Sequence, residues 1–162
     1  MTTWIFLDID GVLVPEKTFD VSRSQENRLQ FDSACLQRFE GVLEHYPEVL
    51  IVISSSWREI FSFEFTRSLF SPNLADRVVG FTPFLPPQLI HKLQYLRHQE
   101  VLEFLQQARA ENDFWVAIDD IREHYPPSAR VVVTDANEGF DEGAALSLKL
   151  YLSTDLENQS LE

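Results

Sequence analysis

The sequence is poor in cysteine, in basic residues and in long apolar runs. Its one cysteine, Cys35, leaves no partner for an internal disulfide. Cys35 falls on the apolar face of a predicted helix, which favours a buried thiol over a reactive nucleophile. No apolar run reaches the length of a transmembrane helix, and the first run lacks the basic flank of a secretory signal. We therefore expect a cytoplasmic protein with no membrane partner.

Basic residues are half as frequent as acidic ones. The chain has 162 residues, with 13 Lys and Arg against 26 Asp and Glu, and a net charge of -13. Such a surface repels a phosphate backbone at long range and offers no basic footprint for nucleic acid. We expect no strong stand-alone nucleic-acid binding, although a nucleotide or an exposed macromolecular phosphate stays open as a substrate.

Apolar strand patterns alternate with helical ones along the chain, which predicts an α/β fold with a parallel sheet. Single domains commonly reach this length, and we predict one domain over residues 1–152 and a polar, frayed tail over 153–162. Strands are predicted at 4–7, 49–53, 78–79, 114–118 and 130–134, and helices at 32–46, 58–70, 98–111 and 141–152. We expect 15–30 to form a loop or flap and the proline-rich 82–88 to be irregular.

Polar side chains follow several of the predicted strands directly. Asp8 and Asp10 follow the first strand, Ser54 and Ser55 follow the second, and the pair Asp119-Asp120 follows the fourth. Ligands of parallel α/β sheets bind outside the carboxyl ends of the strands, so this pattern predicts a site there. Carboxylates at spacing i, i+2 in extended chain point to one side, where a hard cation such as Mg2+ relieves their repulsion.

The phrase Asp-Ile-Asp-Gly-Val at 8–12 resembles the first motif of the haloacid-dehalogenase superfamily of phosphohydrolases. The other three motifs of that superfamily have counterparts in order: Ser54 or its neighbour Ser55, then Arg97, then Asp119-Asp120. The resemblance implies a Rossmann-like, doubly wound parallel sheet of five strands in the order 3-2-1-4-5. The short intervals between motifs leave no room for a cap domain, so the site should be open.

The resemblance also implies a Mg2+-dependent phosphatase that acts on phosphomonoesters through an aspartyl-phosphate. In it, Asp8 is the nucleophile and Asp10 the general acid and base. The metal is held by Asp8, by the backbone carbonyl of Asp10 and by Asp120, with Asp119 binding through water or orienting Asp120. Ser54, Ser55 and Arg97 hold the phosphoryl oxygens.

Several alternatives stay open on the sequence alone. Lys92 is a rival to Arg97 as the basic residue, because the superfamily usually has lysine there. Trp57 and Arg58 either pack or touch substrate, and packing is favoured. The four histidines show no metal-ligand spacing and are interpreted as surface residues.

The function also has alternatives. One is a phosphate-binding or regulatory module without turnover, which the presence of both Asp8 and Asp10 disfavours. Another follows from the phrases Ser-Ser-Ser-Trp-Arg and Trp-Val-Ala-Ile-Asp-Asp, which are similar to a capless branch of the superfamily attached to RNA-repair proteins. That similarity implies an end-repair phosphatase that acts with a partner.

Overall fold

The chain forms a five-stranded parallel sheet. A computed structural model describes residues 1–18 and 30–161. Its strands, in the order β3-β2-β1-β4-β5, are β1 (Thr3–Leu7), β2 (Leu50–Ile53), β3 (Val78–Phe81), β4 (Phe114–Asp119) and β5 (Val131–Val133). All four pairings are parallel. The predicted fold class and strand order are therefore confirmed.

Helices connect these strands and cover both faces of the sheet. They are α1 (Ser33–Leu43), α2 (Phe63–Ser68), α3 (Pro72–Ala75), α4 (Pro87–Ile90), α5 (Leu96–Gln107) and α6 (Glu142–Gln159). Short 3-10 turns occupy Glu16–Thr18, Ser56–Glu59 and Arg122–His124. Asp32 caps α1 as predicted, because its carboxylate accepts a hydrogen bond from the Cys35 N–H at 3.0 Å. No helix of the described residues is both apolar enough and long enough to span a bilayer.

The central strand β1 is buried on both of its faces, as expected of a parallel sheet with helices on each side. Ile5 and Leu7 point to the face covered by α1 and α6, and Trp4 and Phe6 point to the face covered by α5. Cys35 lies buried in the first of these layers, where burial raises the pKa of its thiol to about 11. The thiol is therefore a packed core group, as predicted.

Three of the predicted elements differ from the structure. The predicted helix 58–70 is interrupted, because Ser62 starts a new cap for α2 after the 3-10 turn. The segment 82–88 is irregular as predicted up to Pro86, but its last two residues begin α4 at Pro87. Helix α5 begins and ends earlier than predicted; Leu102, which helical spacing predicts to face inward, is 40% exposed, and Glu100 is buried. The periodicity of apolar residues does not predict the burial of Glu100, because a charged residue is normally expected on the solvent-exposed face of a helix.

The tail was also predicted wrongly at its start. Helix α6 continues to Gln159, well past the predicted end at residue 152. The reason is a contact with the other end of the chain: the Thr3 hydroxyl donates to the buried Asp155 carboxylate, and the Gln159 amide donates to the same carboxylate at 2.9 Å. The last turns of α6, whose polar sequence predicts exposure to solvent, are therefore held against the start of β1.

The intervals between the polar strand ends are short in the described residues. One helix, α1, lies between Asp10 and Ser54, and α2, α3, β3 and α4 lie between Ser54 and Arg97. The described parts of both intervals contain no separate cap domain, in agreement with the prediction. The predicted flap at 15–30 falls largely on 19–29, outside the described residues.

Candidate active site

The sheet brings the ends of β2, β1 and β4 side by side. The Asp8 N–H donates to the carbonyl of Ile118 in β4 at 2.9 Å, and the Ser54 N–H donates to the carbonyl of Leu7 in β1 at 2.8 Å. These bonds continue the ladders one residue past the apolar strands. Asp8 therefore stands between the polar end of β2 and the acidic end of β4.

Three carboxylates converge at this edge. Asp8, Asp119 and Asp120 each offer an oxygen, and within the described chain these oxygens lie within 4.8 Å of one another. Asp119 is buried, and the other two are partly exposed. Carboxylate oxygens at such spacing are the ligands that Mg2+ prefers, so the donor set fits this ion.

Gly11 makes room for one of these acids. It has a φ of +76°, and a Cβ at this position would lie 2.5 Å from an Asp120 carboxylate oxygen. The turn that it forms is anchored, because the Thr134 hydroxyl donates to the Gly11 carbonyl at 2.7 Å. The glycine of the Asp-x-Asp-Gly motif thus has a steric reason as well as a conformational one.

Crowding and burial change the protonation of Asp8. Burial raises the pKa of its carboxyl well above the ordinary value, and the charges of Asp119 and Asp120 raise it further. The Ile9 N–H, which donates to the carboxylate at 2.8 Å, and the positive charge of Arg97 oppose this rise. An added cation would favour the ionised form, which is the form that acts as a nucleophile.

Asp119 is held by the protein on both oxygens. One accepts from the Ile121 N–H at 2.9 Å, and the other accepts from the Tyr125 hydroxyl at 3.2 Å. Burial, with the neighbouring Asp120, raises its pKa to about 6 despite these donors. The pKa of the Tyr125 hydroxyl is raised well above 10, chiefly by burial and next by the Asp119 charge, so it stays a donor at neutral pH. Asp120 is the more accessible acid of the pair.

Asp10 takes a different position. Its exposed carboxylate accepts a hydrogen bond from the indole N–H of Trp57 at 3.0 Å, and its side chain is not part of the group of three acids. Trp57 itself is buried and packs against Phe31 and Phe61. The expectation that Trp57 packs is confirmed, and its indole in addition fixes the carboxylate of Asp10.

The two serines after β2 differ in what their hydroxyls do. Ser55 caps the 3-10 turn, and its oxygen accepts from the Trp57 N–H at 3.2 Å. Ser54 is 0% exposed, and the described residues offer its hydroxyl no hydrogen-bond partner. A buried hydroxyl without a partner is costly, which suits a group that completes its bonding with a ligand. Of the two, Ser54 is therefore the better phosphate-binding candidate.

Arg97 is the basic side chain beside the acids. Its charge lowers the pKa of Asp8, whereas Lys92 is exposed in the turn before α5. The Arg97 guanidinium lies 3.4 Å from Glu100, a carboxylate only 1% exposed, and Glu100 also pairs with Arg58 at 2.5 Å. Two guanidinium groups therefore share one buried carboxylate, which leaves a net positive charge near the site.

The sequence analysis did not identify Tyr125, His124 and Glu100. His124 was assigned to the surface, but its Nδ1 lies 4.0 Å from an Asp119 oxygen, and burial lowers its pKa. Glu100 stands three positions after Arg97 on one helix face, which is a spacing that could have been noticed. His124 ends a short 3-10 turn and Tyr125 follows it, and so short an element carries no signal in the periodicity of the sequence.

Comparison with known protein families gives a match over most of the chain. A family model described as "HAD domain in Swiss Army Knife RNA repair proteins" matches residues 4–145. No curated protein and no solved structure matched the chain. The matched range includes all of the strand-end residues described above.

Proposed function

The chain belongs to the family of HAD domains in Swiss Army Knife RNA repair proteins, and we propose that it is a Mg2+-dependent phosphatase that hydrolyses phosphomonoesters. Membership supports a phosphohydrolase in general terms. The observation that carries the proposal is the convergence of Asp8, Asp119 and Asp120 within 4.8 Å at the carboxyl ends of β1 and β4. Arg97 supplies a positive charge beside them.

Asp8 and Asp10 perform the two chemical steps. An oxygen of Asp8 forms a bond to phosphorus while the bond from phosphorus to the leaving oxygen breaks, and Asp10 donates a proton to that oxygen. Water then attacks the aspartyl-phosphate, Asp10 takes a proton from the water, and inorganic phosphate leaves as Asp8 is restored. The indole N–H of Trp57 keeps Asp10 oriented through both steps.

The remaining residues would bind the metal ion and the phosphoryl group. Asp8, Asp120 and the backbone carbonyl of Asp10 would hold Mg2+, which when bound neutralises negative charge between nucleophile and phosphate. Asp119, whose oxygens accept from the Ile121 N–H and the Tyr125 hydroxyl, would bind the metal through water or orient Asp120. Ser54 and Arg97 hold the phosphoryl oxygens, and the buried Glu100 fixes the guanidinium of Arg97.

The test is hydrolysis of p-nitrophenyl phosphate with Mg2+ and with EDTA. We expect turnover only with Mg2+, and at least a thousandfold loss in Asp8→Asn, because the isosteric amide cannot attack phosphorus. The matched control is Asp135→Asn, an exposed carboxylate that follows β5 and accepts from the Asn137 N–H in a turn. Wild-type turnover by Asp8→Asn would refute the covalent mechanism.

A second candidate is the removal of phosphate from RNA ends with the help of a partner. The family description favours it. The net charge of -13 requires that the partner supply the basic surface. Hydrolysis of a phosphorylated oligoribonucleotide, measured with the chain alone and with an RNA-repair protein added as candidate partner, would test it. No gain of activity with the partner would contradict this candidate.

A further inference from the structure

One cavity is connected to the acid group through a shared residue, Tyr125. Its volume is about 510 Å³, and its lining residues are Gln94, Tyr95, Arg122, Glu123, Tyr125 and Pro127. Tyr125 belongs to both places, since it lines the cavity and donates to Asp119. Arg97 lies two positions after Tyr95, in the first turn of α5. The cavity is therefore placed to receive the group attached to a phosphate that is bound at Asp8.

Among the described residues that line the cavity, the one cation is already engaged. The Arg122 guanidinium donates to the backbone carbonyls of Tyr125, Pro126 and Pro127, each at 3.1 Å. It therefore supports the wall of the cavity and does not present a free fork to an anion. Glu123, by contrast, is an exposed carboxylate. A second phosphate would meet this negative charge without a compensating cation, so the lining disfavours a polynucleotide.

The other lining groups suit a flat, uncharged ring system. Tyr95 and Pro127 provide apolar surface, and tyrosine rings stack on nucleobases of any sequence. Gln94 and Glu123 provide acceptors for the amino groups that nucleobases carry at their edges. The volume falls within the range of small-molecule sites. Together these features describe a receptor for a base and sugar.

From this we infer that the substrate is a nucleoside monophosphate whose nucleoside occupies the cavity beside Asp119. The inference rests on the proposed phosphatase function and adds the class of leaving group. It differs from the RNA-end candidate, because the charge of the cavity lining disfavours further phosphates.

The test compares substrates on the purified chain with Mg2+. We expect kcat/KM for nucleoside 5′-monophosphates to exceed that for p-nitrophenyl phosphate, and that for a 5′-phosphorylated decanucleotide, by about tenfold or more. Tyr95→Ala should lower the ratio of nucleotide to p-nitrophenyl phosphate about tenfold, and Tyr95→Phe should restore it because the ring stays. Preference for the decanucleotide, or a ratio that does not respond to Tyr95, would overturn the inference.

Charge reversal provides an independent test. Glu123→Lys should shift selectivity towards the decanucleotide by about tenfold, since it replaces the repelling charge. Glu103→Lys, at a partly exposed position of α5, is the matched control for long-range electrostatics, and it should leave the selectivity unchanged. Equal shifts in both variants would show that the cavity does not exclude the polynucleotide.

Failure of the phosphatase proposal is distinguishable from failure of this inference. If no phosphomonoester is hydrolysed, the proposed function fails. NMR titration with unphosphorylated adenosine and cytidine then tests separately whether the cavity binds a nucleoside. Chemical-shift changes that vanish in Tyr95→Ala support a nucleoside site. No response to millimolar nucleoside overturns it.

Discussion

Without metal, the protein should lose stability as pH rises, because the buried Asp119 carboxyl must ionise. Its pKa is raised from 3.8 in the unfolded chain to about 6 in the folded one, mainly by burial. The folded state therefore binds this proton more tightly. The stabilisation is complete below pH 3.8 and is lost as pH rises through about 6.

The magnitude follows from the two pKa values. A tenfold change in proton affinity is worth about 1.4 kcal/mol, so the interval between 3.8 and about 6 corresponds to about 3 kcal/mol. For a chain of this size, that amounts to a fall of roughly 6–12 °C in Tm. Asp8, whose pKa is raised in the same direction, adds to the effect.

The assay is the thermal midpoint from pH 4 to pH 8 in EDTA, for the wild type and Asp119→Asn. The comparison is needed because burial also lowers the pKa of His98 and of His124. Histidines with lowered pKa values make the folded protein less stable as pH falls, which is the opposite dependence. The difference between the two proteins isolates the carboxyl. It should be near zero at pH 4, grow in favour of Asp119→Asn as pH rises to about 6, and stay constant at higher pH. A difference that does not change with pH would refute the reasoning.

The remaining predictions concern the metal and the phosphate. At pH 8, Mg2+ at a hundredfold excess over its dissociation constant should stabilise the wild type by about 2.7 kcal/mol; Asp120→Ala should remove most of this gain and Asp119→Ala less, because both Asp119 oxygens already accept from the protein. An unchanged shift in Asp120→Ala would show that it is not a ligand. Arg97→Ala should lower kcat/KM more than Lys92→Ala, and the reverse result would make the assignment of the basic residue wrong. Glu100→Gln should cost about 3–5 kcal/mol of stability, because it leaves two guanidinium groups beside each other, and should raise KM as Arg97 loses its anchor; a KM equal to that of the wild type would show that Glu100 is structural alone.

The local pattern of apolar residues was sufficient to predict the main strands of the sheet. The apolar runs of β1, β2 and β4 predicted buried strands, because a parallel sheet buries both faces of its strands. The acids that follow β1 and β4 predicted a site at the carboxyl edge, since the chain must leave the sheet there. Strand order came from the resemblance to a family and was confirmed by the structure.

Only the tertiary structure decided which polar groups meet. Thr3 and Asp155 are 152 positions apart, and Trp57 and Asp10 are 47 apart, so no periodicity relates them. Glu100 looks like a solvent-facing residue in the sequence until Arg58 is brought against it by the sheet. The sequence by itself determined which segments are strands and where its acids fall on them. Packing determined which of those acids share a site, because the free energy of a charge depends on neighbours that are distant along the chain.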